Sequence, residues 1–376
     1  MIILHFALKN EWDNESKTNS YGSSCIARDG HIKCYKFSDI SNIPFNFSTL
    51  SNYIILCIDD EKVDANIKYE NELNLELVEP NIYGTIATSS VIKILPYTFD
   101  NEDKFVATDE LLDFITINDA CSNLNIKYVT HKYFHDGTTS RIILLNDEYI
   151  IKVASKEQLK AEVTFANTYK NTPLLQKIAY FDNEYNYIVY SFIPGDVMHT
   201  VTDFENLTRN LQIIISSYKN STESGYGYIE NPKDSWSDFL KQEVKDASSL
   251  FNESSSFLPI VEDAINELNR YPFDKKLIHG DFGTHNFIKK DERFIAAIDP
   301  TPIIGDPTYD LLFALVSNVD LIPFLSLDYL TRYTKEKKEK IIALLKVVLF
   351  CRICRCTKYN KEDLEYYLDF WYNLFG

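Results

Sequence analysis

The chain has 376 residues and a formal net charge of −17, and 45% of its residues are hydrophobic, enough to build sizeable cores. The length predicts two or three domains, because single cores stop growing near about 250 residues. The negative charge excludes a nonspecific nucleic-acid or anionic-membrane binder, which needs clustered Lys and Arg. It fits a cationic small-molecule partner and, equally, a charge that serves solubility alone.

The N-terminus begins with an apolar segment, residues 2–6, that lacks the basic flank of a signal peptide and predicts a first strand. The longest apolar run, residues 341–350, is about half of a membrane span and predicts a buried helix. We therefore expect a cytoplasmic protein without membrane contact, whose seven cysteines are free thiols. Cys351, Cys354 and Cys356 lack the further ligands of a metal site, so we expect them to pack in a core.

Short strands and turns fill residues 1–105 and predict a small α+β domain. Its clearest strands are expected at 53–58 and 91–95. A polar stretch follows, and a helix predicted over 111–124 opens a new segment. The domain boundary is therefore expected near 105 to 115.

Two further parts follow in chain order. Residues 115–193 predict strands at 141–145 and 149–154, and then a helix that begins at Ser155, which has capping-box spacing to the residue three positions later. Residues 194–376 are predominantly helical. The predicted fold class is α+β, with a sheet-rich lobe and a large helical lobe preceded by the small α+β domain.

The strongest chemical pattern is LIHGDFGTHNFI (277–288), followed by FIAAIDP (294–300). Two apolar strands bracket a polar loop and end in an acid, which predicts that Asp281, Asn286 and Asp299 converge. Phosphoryl transfer depends on positioning and charge neutralisation. In that chemistry Asp281 is the catalytic base for an attacking hydroxyl, and Asn286 and Asp299 are hard oxygen ligands suited to Mg²⁺.

This pattern, His-Gly-Asp-x-x-x-x-Asn followed by Ile-Asp, resembles the aminoglycoside phosphotransferase family. Residues 279–286 are especially similar to its hygromycin-type branch, and GDPTYDL (305–311) extends the match. The resemblance covers about residues 125–376 and implies a bilobal protein-kinase-like fold. It also implies Mg²⁺, ATP or GTP as phosphoryl donor, and a small-molecule hydroxyl acceptor, with an aminoglycoside and antibiotic resistance as the leading reading. His279 is expected to brace the loop by hydrogen bonding.

The same resemblance implies a nucleotide-binding lobe upstream. Lys152 matches the strand lysine that contacts the α- and β-phosphates. Glu162 matches the acid that pairs with this lysine, and Glu157 is the alternative if the helix register differs. The strand before Pro194 resembles the hinge that binds the adenine edge, with Tyr190 and Phe192 as its candidates. A preceding turn is expected to cradle phosphates through backbone N–H groups; its candidates are Gly137, Thr138, Thr139 and Ser140.

Acidic side chains on the late helices are candidates for a pocket that takes a cationic acceptor. Solvated helix faces explain these residues equally well. They are Glu243, Asp246, Glu362, Asp363, Glu365 and Asp369.

Residues 1–105 resemble a small bacterial family known as domain of unknown function nine hundred fifty-two, whose fold is thought to be similar to ADP-ribosyltransferases. The family tends to read Gly-Phe-Ile-His-Cys where this chain has GHIKC (30–34), so one expected histidine is displaced. His5, Tyr83 and Glu70 are candidates for one cleft. A β-rich packing domain that caps the kinase-like part is favoured over such a cleft, and a domain that shapes acceptor access or binds a partner is the further alternative.

Several functions remain open at this level. The leading hypothesis is a phosphotransferase that acts on a small cationic molecule. A metabolic kinase for a sugar, choline-like or amino-acid hydroxyl is the second. The third is a regulatory nucleotide-binding protein whose N-terminal domain senses a ligand, and the fourth is an NAD-consuming N-terminal domain regulated by the kinase-like part.

Overall fold

The computed structural model divides the chain into two compact units, Met1–Val129 and Thr130–Gly376. This division lies beyond the boundary predicted near 105 to 115. The described residues are 2–36, 53–70, 79–96, 98–99, 105–106, 108–134 and 140–376.

In its described residues, the first unit consists of small antiparallel sheets and short helices. Its strands are β1 (Ile2–Leu8), β2 (Ser20–Tyr21), β3 (Ile32–Lys33), β4 (Tyr53–Asp59), β5 (Asn66–Glu70), β6 (Glu79–Tyr83), β7 (Ile86–Ala87), β8 (Val91–Leu95), β9 (Thr98–Phe99) and β10 (Phe105–Val106). Its helices are α1 (Lys9–Glu15), α2 (Ser23–Asp29) and α3 (Asp109–Leu124). The strand orders are β1-β4-β8 and β3-β6-β5, with the pairs β2-β7 and β9-β10. The strands predicted at 2–6, 53–58 and 91–95 are confirmed as β1, β4 and β8.

Helix α3 belongs to this first unit, although the sequence placed most of it at the start of the next segment. Thr108 caps the helix, since its hydroxyl accepts a hydrogen bond from the amide of Leu111 at 3.3 Å. Leu111 is fully buried and joins an apolar cluster with residues of the first sheet. The other buried members of that cluster are Leu4, Ile55, Cys57 and Leu95. The packing of this one face therefore decides where the first unit ends.

The second unit has a sheet-rich part and a helical part. Its strands are β11 (His131–Phe134), β12 (Arg141–Leu145), β13 (Tyr149–Val153), β14 (Ile178–Phe181), β15 (Ile188–Ser191), β16 (Asp196–Val197), β17 (Gly227–Tyr228), β18 (Lys276–Ile278), β19 (Phe287–Lys290), β20 (Arg293–Ala297) and β21 (Ile303–Gly305). Its helices are α4 (Lys156–Thr168), α5 (Phe204–Ser216), α6 (Trp236–Ser248), α7 (Leu258–Leu268), α8 (Pro307–Val316), α9 (Leu327–Thr334), α10 (Lys338–Tyr359) and α11 (Leu364–Phe375).

A five-stranded antiparallel sheet, of order β11-β12-β13-β15-β14, begins the second unit. Helix α4 packs on it, because Leu159 and Val163 of the helix cluster with Ile188 and Tyr190 of β15. Two three-stranded sheets, β16-β19-β20 and β17-β21-β18, lie within the helical part. The predicted α+β class, with a sheet-rich lobe before a helical lobe, is confirmed.

Helix α10 contains the apolar run at 341–350 and is buried along most of its length, as predicted. Cys351, Cys354 and Cys356 lie in the apolar core around it. All seven cysteines are free and buried, which confirms the thiol prediction. Within the part of the chain that the structure describes, no helix is long and apolar enough to span a membrane.

A buried ion pair joins α10 to the start of α8. The ammonium of Lys340 lies 3.0 Å from the carboxylate of Asp306 and 2.8 Å from that of Glu336. Lys340 and Asp306 are each only 3% exposed. Asp306 also caps α8, since its carboxylate accepts a hydrogen bond from the amide of Thr308 at 2.9 Å. Each charge therefore depends on the other for its stability in this dry environment.

We predict that Lys340→Met lowers the free energy of unfolding by about 3 to 5 kcal/mol, because it leaves Asp306 buried and uncompensated. Lys338→Met is the matched control, since Lys338 lies 3.6 Å from the exposed Asp328 and is itself half exposed. That control should cost less than about 1 kcal/mol. Urea unfolding of both variants measures the difference, and equal costs would contradict the role assigned to the buried pair.

Candidate active site

The site is built around the buried lysine of the five-stranded sheet. Lys152 lies on β13, is 3% exposed, and has its ammonium 2.6 Å from a carboxylate oxygen of Glu162 on α4. The same ammonium donates to the carboxylate of Asp299, which follows β20 in the helical lobe. Burial lowers the pKa of Lys152, but attraction to the two carboxylates outweighs burial and raises that pKa above its ordinary value. The lysine is therefore charged and joins the two lobes.

Glu162 is fully buried and its second oxygen is also satisfied. The hydroxyl of Tyr190 on β15 donates to it at 2.8 Å. The side-chain amide of Gln158 donates to the first oxygen at 3.1 Å and reaches the hydroxyl of Ser140 at 3.5 Å. This network fixes the carboxylate that in turn fixes Lys152.

Asp299 stands at a bend in the chain with φ of +54°, a left-handed conformation that an aspartate adopts at some cost. Its side chain is 51% exposed. The preceding residue, Ile298, donates its amide to the carbonyl of Asn286 at 2.9 Å. Its carbonyl accepts a hydrogen bond from His279 Nε2 at 3.0 Å. Asp299 is thus linked to the loop between β18 and β19 through the hydrogen bonds of its neighbour Ile298.

That loop presents Asp281, whose side chain is 38% exposed. His285 Nε2 lies 3.2 Å from both carboxylate oxygens, and the amide of Asn286 donates to one of them at 2.9 Å. Burial opposes the charge on Asp281, but the contact with His285 prevails and lowers the pKa of this carboxyl to about 2. The aspartate is therefore a carboxylate at neutral pH. Because the Asn286 nitrogen donates here, its amide oxygen remains for a different ligand.

Asp310 of α8 fixes the start of the loop between β18 and β19 by accepting hydrogen bonds from its backbone. Its carboxylate accepts hydrogen bonds from the amides of His279 at 2.7 Å and Gly280 at 3.0 Å, and from the Tyr218 hydroxyl at 2.7 Å. Burial raises the pKa of Asp310 to about 7, although these three donors favour the charged form. Burial also lowers the pKa of His279 to about 4. The neutral imidazole therefore donates through Nε2, as the contact with Ile298 requires.

Among the predicted nucleotide-side residues, the structure brings Lys152, Glu162 and Tyr190 into contact. Glu162, and not the exposed Glu157, meets Lys152. The Tyr190 side chain is buried and its hydroxyl donates to Glu162, while the adenine contact expected of the backbone of this strand stays a prediction. The amide of Phe192, expected at the adenine edge, donates to the carbonyl of Glu148 at 2.8 Å. Ser140 reaches Gln158, while three predicted turn residues lie outside the described ones: Gly137, Thr138 and Thr139.

The acids proposed for a cationic acceptor do not form one cluster in the described structure. Glu243 pairs with Arg355, and its carboxylate oxygen lies 2.9 Å from Nη2. Asp363 lies 3.8 Å from Arg352, and Asp246 accepts from Gln242 at 2.8 Å. The exposed remainder are Glu362, Glu365 and Asp369.

In the first unit, Tyr83 and Glu70 meet, since the tyrosine hydroxyl donates to the carboxylate at 2.5 Å. His5 is in a different environment, where its ring nitrogens contact the Lys33 carbonyl at 2.7 Å and the Tyr21 hydroxyl at 2.9 Å. Burial lowers the pKa of His5 to about 4. The tyrosine and the glutamate therefore form a pair, and the histidine is buried with Tyr21 and the Lys33 carbonyl as its partners.

A divalent metal fits the donor chemistry of Asn286 and Asp299. Among the described residues, no group of three or more His, Cys, Asp and Glu side chains could hold a metal ion by itself. An amide oxygen and a half-exposed carboxylate suit Mg²⁺, which is commonly held by one or two protein oxygens together with substrate phosphates. A nucleotide would thus complete such a site.

Several residues of this site were missed by sequence reasoning. His285 and Asp310 lie inside the sequence motifs at 277–288 and 305–311, but the motifs did not indicate which residues they contact. Gln158 was noted for helix capping, and its side chain instead contacts Glu162. Arg355 lies among cysteines in the sequence, and nothing near it indicated its ion pair with Glu243.

No protein-family model matches the sequence, and no curated protein matches it. Solved structures of aminoglycoside phosphotransferases are similar to it. The GDP complex of wild-type aminoglycoside 2'-phosphotransferase-IIIa is 14% identical with a TM-score of 0.49, covering 71% of this chain and 98% of that chain. A thermostable mutant of APH(4)-Ia, in complex with AMP-PNP and hygromycin B, is 17% identical with a TM-score of 0.46, covering 67% and 95%.

At these identities and TM-scores, the likenesses assign neither an activity nor an acceptor to this chain. The resemblance of residues 1–105 to an uncharacterised bacterial family has no support among these comparisons.

The backbone at the start of the loop between β18 and β19 requires a glycine at position 280. Its φ is +82°, and a Cβ atom there would lie 2.0 Å from the carbonyl oxygen of Thr301. We predict that Gly280→Ala displaces residues 299–301 and speeds amide hydrogen exchange around them, because a backbone clash cannot be relieved by a rotamer change.

The matched control is Gly30→Ala. Gly30 has nearly the same φ, +81°, but a Cβ atom there would meet nothing within 4 Å. It should therefore show only the conformational cost of about 1 kcal/mol. Equal local exchange at both sites, measured by mass spectrometry, would show that the contact with Thr301 is unimportant.

Proposed function

We propose that this chain transfers the γ-phosphoryl group of ATP or GTP to a hydroxyl of a small molecule, with Mg²⁺. The observation that carries the proposal is the convergence of two charged sets. Lys152, held by Glu162, meets Asp299, and the chain beside Asp299 is bonded to the loop that presents Asp281 and Asn286. A fixed cation next to a metal-binding acid and a carboxylate base is what phosphoryl transfer needs.

Asp281 is the proposed general base. In the transfer, the acceptor oxygen forms a bond to the γ-phosphorus, and the bond from that phosphorus to the β,γ-bridging oxygen breaks. The nucleoside diphosphate leaves with the electron pair, and the proton of the hydroxyl passes to the Asp281 carboxylate. The low pKa of Asp281 keeps it charged before the reaction. Its contacts with His285 and Asn286 orient the oxygen that accepts the proton.

Lys152 is proposed to bind the α- and β-phosphates, since its charge is fixed and it borders the exposed Asp299. Asn286 and Asp299 would hold Mg²⁺ through an amide and a carboxylate oxygen. When bound, Mg²⁺ neutralises negative charge on the phosphates. Glu162 and Tyr190 act indirectly, because they position Lys152 and are themselves buried.

The identity of the acceptor would distinguish two more specific functions. An aminoglycoside acceptor would make the chain a cytoplasmic antibiotic-resistance enzyme, and a cellular hydroxyl compound would make it a metabolic kinase. Both share the transfer step and differ only in what binds beside Asp281. The assay therefore needs both classes of compound, with ATP and GTP as donors.

We predict that Asp281→Asn lowers the turnover number about 100- to 10,000-fold, because the hydroxyl loses its proton acceptor. The variant should keep its affinity for Mg-nucleotide, since Asn has the same shape. Nucleoside diphosphate release across aminoglycosides and cellular hydroxyl compounds measures turnover, and titration calorimetry measures affinity. Asp291→Asn is the matched control, because Asp291 is an exposed aspartate in the turn after β19 and should have wild-type turnover.

Wild-type turnover in Asp281→Asn would reject this residue as the base. Binding of Mg-nucleotide without consumption of it would favour the regulatory nucleotide-binding alternative. No binding and no consumption by the wild-type chain would reject the phosphotransferase proposal itself.

A further inference from the structure

An arginine of the helical lobe contributes to the electrostatic environment of the proposed base. Arg355 of α10 adds to the positive charge around Asp281 and is 32% exposed. Its guanidinium stands 5.9 Å from the ring centre of Phe313 on α8. Phe313 in turn borders the catalytic loop, since a Cβ atom on Gly283 would lie 3.1 Å from its ring. Phe313 therefore borders both the loop that carries Asp281 and the guanidinium of Arg355.

Glu243 of α6 fixes this arginine, and each of its two carboxylate oxygens already has a hydrogen-bond partner. One carboxylate oxygen accepts from Arg355 Nη2 at 2.9 Å, and the other accepts from the Tyr228 hydroxyl at 2.8 Å. The Glu243 side chain is only 8% exposed. An ammonium group of an acceptor would therefore meet a carboxylate that is almost buried and whose charge is already compensated by Arg355.

The arginine has more donors than this contact uses. A guanidinium carries five N–H groups in a planar fork. Within the described part of the chain, Arg355 makes one hydrogen bond to a protein atom, through Nη2. Its remaining donors suit a carboxylate or phosphate, which a guanidinium binds through two parallel hydrogen bonds. A cationic group at the same place would be repelled.

We propose that Arg355 is a specificity-determining residue that selects acceptors carrying an oxyanion, a carboxylate or a phosphate, near the hydroxyl that is phosphorylated. This inference rests on the proposed phosphotransferase function and names the acceptor class of the same site. It separates a metabolic acceptor of anionic character from a polycationic aminoglycoside. The positively charged residue supplies binding energy to the former and opposes the latter.

The test measures nucleotide consumption by the full chain with acceptors of one scaffold. The acceptors with this scaffold are glycerate, glycerol 3-phosphate, glycerol and 3-amino-1,2-propanediol. Wider panels contain hydroxy acids and sugar phosphates with their neutral and amino counterparts. Kanamycin represents the polycationic acceptors. We expect kcat/KM to be about 10- to 100-fold higher for anionic members. The carboxylate and phosphate arms show which oxyanion is preferred.

Two variants link the preference to Arg355. Arg355→Gln combined with Glu243→Gln removes both charges without leaving a buried ion, and should erase the preference chiefly by raising KM for the anionic acceptor. Arg355→Lys should keep part of it, because a point charge replaces the fork. Arg352→Gln, one turn earlier on α10, should leave the acceptor profile unchanged. Calorimetric nucleotide affinity reports that each variant is folded.

Turnover confined to neutral or cationic acceptors, no stimulation by any anionic member, or an unchanged preference in the double variant would each overturn the inference. These failures differ from failure of the proposed function. Slow acceptor-independent hydrolysis that Asp281→Asn abolishes would show that the phosphotransferase site is active whatever the acceptor is. Absence of both hydrolysis and nucleotide binding would reject the function.

Discussion

The need to compensate one buried ammonium group shapes the whole site. Lys152 lies on the central strand of a sheet and is almost completely removed from water. An isolated charge in such a place costs several kcal/mol, so it is tolerated only with close partners. Glu162 lies on a helix packed on the sheet. Asp299 lies in the helical lobe, more than a hundred residues further along the chain. The folding of both lobes is therefore required before this charge is stable.

A buried carboxyl group organises the loop that carries Asp281. Asp310 receives the amides of His279 and Gly280, while His279 donates to the carbonyl beside Asp299. Backbone amides at the start of the loop and the acid after β20 are thus fixed by the same network. Because each contact uses a different atom, Asp281 is left to face outward with its own partners. Rigid support from buried groups and exposure of one carboxylate are complementary requirements of such a site.

Local patterns in the sequence predicted the parts of this arrangement that depend on neighbouring residues. Strand β13, the start of α4 at Ser155 and the loop around Asp281 all follow from short-range periodicity, capping and motif spacing. Long-range partners were not predictable in this way. Nothing near Phe192 indicates that Glu148 takes its amide, and nothing near Arg355 indicates a partner 112 residues earlier. Likewise, α3 belongs to the first unit because one of its faces is buried against that unit, which local sequence patterns did not indicate.

The contrast between overall and local charge matters most for the acceptor. A net charge of −17 favours cations at long range, yet charges beyond a Debye length of about 8 Å are largely screened at physiological ionic strength. What an acceptor meets beside Asp281 is decided by the few groups in contact with it. In the proposed acceptor site Glu243 is paired with Arg355, and the arginine is the more exposed of the two. The sign of the whole chain therefore does not determine the sign of its ligand, and the acidic composition is compatible with selection of an anionic one.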